Sequence, residues 1–210
     1  RWFMRSVLLG TLWVAAAGAT PAWASAERMQ QADEAQKAGR YAEAATLYEE
    51  AVQHFRTTAG ENAHETLQAQ DRLALTYGDL GRYAEQLKLA EQVLKNRTAL
   101  SGPDSPHTLT AMGNLGVAYL YSGRIDDVVA INEKVLALHT RNQGERHPET
   151  LRAVGNLAQA YNVAGRHREA AALDERVFHQ STELHGERHP DTLRAMAQAE
   201  SVKQGDMAAT

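Results

Sequence analysis

The chain has 210 residues, 22 Lys and Arg against 26 Asp and Glu, a formal net charge of −4 and no cysteine. A balance this even supplies neither the basic field that nucleic acid needs nor a polybasic patch for a membrane surface. With no cysteine there can be no disulfide and no lipid-modified cysteine, so stability has to come from packing.

The first stretch is a targeting segment. Arg5 precedes an apolar run from Val7 to Ala19, followed by Pro21 and the small-x-small pattern Ala22-Trp23-Ala24. This order reads as a secretory signal peptide over residues 1–24, cleaved after Ala24 or Ala26. The run is 13 residues long, short of the roughly 20 that span a bilayer, so a membrane anchor is the weaker reading. The alternative is that Val7 to Ala24 forms the buried start of something longer. Met4-Arg5 is a natural start, which makes Arg1 to Phe3 upstream readthrough or a fragment edge. Export implies a periplasmic or secreted protein, with no membrane attachment after cleavage.

From here a 42-residue period governs the chain. Gly-Arg stands at Gly39-Arg40, Gly81-Arg82, Gly123-Arg124 and Gly165-Arg166, and Thr-Leu keeps the same step at Thr66-Leu67, Thr108-Leu109, Thr150-Leu151 and Thr192-Leu193. A period of this size with no strand-like segment between markers predicts stacked supersecondary units. One elongated domain over residues 25–203 follows, with a short flexible tail at 204–210.

Each unit predicts two helices. The first is clearest at Leu109, Met112, Leu115, Gly116 and Tyr119, and again at Leu151, Val154, Leu157, Ala158 and Tyr161. Spacings of three and four put these residues on one side. The second is seen at Ala44, Leu47, Tyr48, Ala51, Val52 and Phe55, with equivalents at Leu89, Ala90, Val93 and Leu94, at Val128, Ile131, Val135 and Leu136, and at Ala170, Leu173, Val177 and Phe178. Pro106, Pro148 and Pro190 mark helix starts, where a missing N–H costs nothing. The Gly of each Gly-Arg, and Gly60, Gly102, Gly144 and Gly186, mark stops. Glu43, Glu85, Asp127 and Glu169 lie in first turns, where an acid meets the positive end of the helix dipole for roughly 0.3–1 kcal/mol. Ala74, Gly116 and Ala158 let the paired helix approach closely. The last helix keeps Leu193 and Met196 and then turns polar at Glu200 and Lys203, the pattern of a capping helix at or near the end of the array.

These residues resemble a tetratricopeptide repeat array, a right-handed α-solenoid of about four helix-turn-helix repeats plus the capping helix. The match runs through Ala74, Tyr77, Gly81 and Tyr83, through Gly116, Tyr119 and Gly123, through Ala158, Tyr161 and Gly165, and through Gly39, Tyr41, Ala44, Tyr48 and Ala51. The 42-residue period looks like the kinesin light chain subtype, as do His147-Pro148-Glu149-Thr150-Leu151, His189-Pro190-Asp191-Thr192-Leu193, Asn114-Leu115 and Asn156-Leu157-Ala158. The first unit departs by lacking the Pro-x-Thr-Leu entry and by placing Ala35 where others have Tyr, and the second has His64 in place of proline.

The resemblance implies a non-enzymatic scaffold or adaptor whose first helices line a concave groove. By that analogy the groove is lined by Gln68, Arg72, Asn114, Leu120, Tyr121, Arg152, Asn156, Gln159 and Asn162. Asn114 and Asn156 are 42 apart and could offer amides to a peptide backbone. Arg72 and Arg152 could favour an acidic or C-terminal group. The alternative is structural: each Asn bonds a neighbouring helix or caps a turn, and each Arg is a solvated surface charge. Partners are expected to be a protein or peptide, or a second copy of the chain, and the array could also be the sensing portion of a larger regulator or enzyme. No cofactor and no metal are expected: His185 and His189 lack the three or four converging ligands of a zinc site. No nucleophile elbow, phosphate loop or dinucleotide turn is present.

Overall fold

The computed structural model describes residues 22–200, apart from 191 and 198. The signal-peptide reading falls largely on residues 1–21 and the tail reading wholly on 204–210, both outside the described residues. Eight helices follow in order: α1 Ala22–Lys37, α2 Tyr41–Thr58, α3 His64–Asp79, α4 Tyr83–Ser101, α5 Pro106–Tyr121, α6 Ile125–Gln143, α7 Pro148–Val163 and α8 His167–His185. A ninth, α9, is helical at 190, 192–197 and 199–200. No strand occurs among the described residues. Each helix from α1 to α7 packs on the next, and α3 also touches α5. This is the all-α solenoid that the period predicts.

The two repeated dipeptides do the joining. At the turn within each hairpin, Gly81 adopts φ +73°, and the Arg82 N–H reaches back to the Tyr77 carbonyl at 2.8 Å. That six-to-one closure ties off the helix end and needs a left-handed residue before it. Arg82 therefore has a backbone task as well as a side chain. At the turn between hairpins, the buried Thr66 and Thr108 hydroxyls donate to the carbonyls of Gly60 and Gly102, each at 2.7 Å. At α3 and α5 Thr-Leu thus anchors the start of the first helix to the end of the helix before it, whereas the equally buried Thr150 and Thr192 hydroxyls have no acceptor among the described residues. Pro106 and Pro148 open α5 and α7 at the predicted position.

The arginine of Gly-Arg builds a clamp that recurs with the period. Arg82, Arg124 and Arg166 lie over the rings of Tyr77, Tyr119 and Tyr161, 4.1, 4.5 and 4.1 Å from the centroids. Each also pairs with the acid three residues on, Glu85, Asp127 or Glu169, and reaches a glutamate of the preceding hairpin, Glu49, Glu91 or Glu133. Tyr77 and Tyr161 donate their hydroxyls to Glu49 and Glu133 at 2.8 Å. Burial, and then the Glu49 bond, push the Tyr77 phenol up to about 12. A raised pKa favours the neutral phenol in the fold, so this contribution is full below pH 10 and disappears as pH rises through 12. A cation over an exposed ring is worth about 0.5–1 kcal/mol. In the first unit Ala35 replaces the tyrosine, and among the described residues Arg40 pairs only with Glu43, at 2.8 Å.

The core is a chain of small clusters. Ala32, Ala35, Ala44, Tyr48, Ala69 and Leu73 join the first two hairpins, and Ala90, Leu115 and Ala118 join the next. Leu109 and Met112 close on Leu138, Ile131 and Val135 of their own hairpin. A Cβ on Gly116 would stand 3.3 Å from Ile131 Cγ2, so the predicted small residue is set by helix approach. On α9, Ala195 and Ala199 are buried, whereas Leu193 and Met196 are 52% and 41% exposed. Leu193 and Met196 repeat the places of Leu109 and Met112, which are covered by the second helix of their unit.

Asp174 carries a cost that can be relieved. It is 5% exposed, and burial raises its pKa. A carboxyl so raised contributes full stability only below its unfolded pKa and loses it as pH rises through the folded value. The equivalent residue one unit earlier is Asn132, whose amide donates to the Val128 carbonyl at 2.8 Å. Asp174→Asn is therefore expected to stabilise the protein at pH 7 by about 1 kcal/mol, read as a higher urea midpoint. The gain should shrink toward pH 4.

Candidate functional site

The first helices present their outward residues in a row, and clefts open between successive members. One of about 650 Å³ lies between α1 and α3, lined by Met29, Asp33, Glu34, Lys37, Phe55 and Gln68, among others. A second of about 180 Å³ lies between α5, α6 and α7. A third of about 420 Å³ lies between α7, α8 and α9. Asn156 and Gln159 line both the second and the third, so these two residues of α7 border a cleft on each side.

From α3 to α7, position 71 of the repeat tracks where space opens. On α3 it is Asp71, whose Oδ2 accepts from Arg97 Nε at 3.1 Å and from a terminal guanidinium nitrogen at 2.6 Å. Its Oδ1 accepts from Asn114 Nδ2 at 3.2 Å. Arg97 is only 5% exposed, so this tie joins α3, α4 and α5 through a largely desolvated ion pair. One and two units later the position is Gly113 and Gly155, where a Cβ would meet nothing within 4 Å. The Arg97 position becomes His139 and then Ser181. The side chains that hold α3 to α5 are thus missing from the next two junctions.

The nine groove residues drawn from the sequence divide among these places. Leu120, Asn156 and Gln159 come together in the second cleft, and Arg152 joins Asn156 and Gln159 in the third. Gln68 sits apart in the first. Arg72 is exposed on α3. Asn114 and Asn156 do not share an environment: Asn114 is half-buried and committed to Asp71, whereas Asn156 is exposed. Arg152 is ion-paired with Glu149, which offsets much of its charge. Asn162 Oδ1 lies 3.3 Å from His167 Nδ1. Tyr121 stacks on Tyr83 with centroids 5.2 Å apart and planes 6° from parallel, which places it at the hairpin edge.

A tetratricopeptide repeat family model matches residues 26–99 and 66–141, and a second one matches 150–191. The chain belongs to the tetratricopeptide repeat family. Its structure is similar to the nearly identical TPR-like repeats of a Podosopora anserina protein of the kinesin light chain kind. The two are 26% identical over 87% of each chain, with a TM-score of 0.79. It is similar in fold to BtubC (BKLC) from P. vanneervenii, 23% identical over 79% of this chain and 66% of that one, TM-score 0.70. MamA from Desulfovibrio magneticus RS-1 shares the fold at 16% identity, over 88% and 96% of the two chains, TM-score 0.56. No curated protein matches the sequence.

Tetratricopeptide repeats typically form non-catalytic scaffolds for protein partners. Among the described residues, no group of three or more His, Cys, Asp or Glu could hold a metal ion, and no helix is long and apolar enough to cross a membrane. The sequence reading passed over Gly113, Val117 and Val163, which line the second cleft, and over the Asp71–Arg97 pair. The visible signal was the change from Asp to Gly at one repeat position.

Truncating Asp71 would leave the Arg97 guanidinium buried and unpaired. Asp71→Ala is expected to cost about 3–5 kcal/mol in chemical unfolding. Replacing the pair together, Asp71→Gly with Arg97→His as the next unit has it, should cost markedly less.

Proposed function

We propose that this protein is an exported, non-enzymatic adaptor that binds an extended peptide or a flexible protein segment along the first-helix face, centred on α5 and α7. The observation that carries the reading is that the amides of Asn156 and Gln159, unpaired among the described residues, border two clefts at once. An amide offers a donor and an acceptor and so matches a peptide backbone without regard to its side chains. Leu120 and Tyr121 supply apolar surface beside it, and Arg152, paired with Glu149, lines the far end. Gln68, Arg72, Asn114 and Asn162 act at the margins of this surface.

Export rests on the basic residue, apolar run and small-x-small pattern of residues 1–24, and it puts the adaptor in the periplasm or outside the cell. A second reading is self-association. It draws on the exposed Leu193 and Met196 of α9, an apolar stripe that a second copy could cover.

Capture on immobilised chain from the exported fraction, followed by titration of the recovered partner, tests the adaptor reading. Asn156→Ala with Gln159→Ala should weaken binding at least tenfold without lowering the melting temperature. Equal binding by both proteins would remove the groove from the account. The intact mass of protein recovered from the periplasm should lack residues 1–24 or 1–26. A monomer whose light scattering is constant across a dilution series would dismiss self-association.

A further inference from the structure

The cleft between α5, α6 and α7 has a chemistry of its own. Its walls include Gly113, Val117, Leu120 and Val163, with Asn132, Asn156 and Gln159 as polar groups, and among the described residues no charged side chain lines it. The clefts at α1/α3, at α2/α4 and at α7/α9 each carry both acidic and basic side chains. The helix beneath it is unusual in the same way. α5 contains no Asp, Glu, Lys or Arg, whereas α1, α3 and α7 all do.

Several large apolar residues nevertheless stand open to solvent here. Val117, Leu120, Tyr121, Val163 and Tyr83 are each between 39% and 53% exposed. Val117, Leu120 and Val163 share the cleft, and the Tyr121–Tyr83 stack continues the surface at the hairpin edge. Contiguous exposed apolar surface of this kind marks an interaction site more often than isolated residues do. The volume of about 180 Å³ is the scale of a dry cavity of about 150 Å³ that accepts benzene, which suits one branched or aromatic side chain.

We infer that this cleft receives a single uncharged apolar side chain, leucine- or phenylalanine-like, from an extended partner segment whose backbone bonds to the amides of Asn156 and Gln159. The inference rests on the groove reading above and names the chemistry of its occupant. A charged side chain entering here would lose its water and find no counter-ion, whereas an apolar one loses only contact with water. Neutral amides at the rim satisfy the segment's backbone without selecting a charge. The charged pair Arg152 and Glu149 lies in the neighbouring cleft, one step along the same segment.

The probe is a phage-displayed random heptapeptide library panned on the full chain, followed by titration of synthetic peptides made from the enriched sequences. Gly113→Leu is the blocking variant: its new side chain would point into open space, and a helical glycine gains stability on replacement. Leu120→Asp is a second, and melting curves check both for folding. The expected peptides carry a neutral apolar residue at one fixed position. Changing that residue to Asp or Lys, or using either variant, should weaken binding at least tenfold, and Arg152→Ala should not.

Enriched acidic or basic peptides that depend on Arg152 and are indifferent to Gly113→Leu would overturn the inference while leaving the groove reading in place. Absence of enrichment over Gly113→Leu and Leu120→Asp would overturn both. A dimer in light scattering that Gly113→Leu converts to monomer would show the occupant to be the protein itself, and would equally overturn the inference.

Discussion

A helical hairpin of this length has apolar residues on more than one side of each helix and can bury only part of them against its own partner. The remainder must be covered by the next hairpin, so no unit is stable alone and every unit specifies its neighbour. The core accordingly runs as linked clusters along the stack, Ala32 to Leu73, then Ala90 to Ala118, then Leu109 to Leu138. The 42-residue register follows from this constraint. Thr66 and Thr108 fasten one hairpin to the end of the last, and the Arg82, Arg124 and Arg166 clamps span the same junctions from the opposite end of the helices. Both devices sit at hairpin ends, which leaves the middle of each first helix free to vary.

Function can be placed in that middle without disturbing the stack. At repeat position 71 the chain spends one junction on a buried ion pair and leaves the next two open with glycine. Where Asp71 and Arg97 stand, Asn114 is drawn into the structure. Where Gly113 and Gly155 stand, Asn156 and Gln159 border space. Identical residues at equivalent positions thus acquire different surroundings from one substitution beneath them.

The fold was legible because its markers are backbone devices. Gly81 and Gly102 are required by positive φ, and Pro106 and Pro148 by the first turn of a helix, so residue type and place coincide. The arginine of Gly-Arg was only half legible: its partners Tyr77 and Glu49 lie 5 and 33 residues away and meet only after stacking. The site was less legible still. Asn114 and Asn156 look equivalent in the sequence, and their difference depends on Asp71, which belongs to none of the repeated markers. Tyr121 reads as a groove residue by its place on the helix, and its stack on Tyr83 is formed only after folding, by a residue 38 positions away. Leu193 and Met196 continue the buried stripe in sequence, while on α9 they are exposed.

The most direct measurement is the denaturant unfolding of two internal deletions followed by circular dichroism. Removing residues 102–143 takes out 42 residues and joins Ser101 to Gly144, which repeats the Ser101-Gly102 junction. Removing residues 102–139 takes out 38 and breaks the register. The account predicts that the first deletion stays helical and unfolds cooperatively, with a lower midpoint and a smaller m-value than the full chain, and that the second loses most of its helix. Collapse of the in-register deletion, or equal tolerance of both, would contradict a stack held together by neighbour-to-neighbour register.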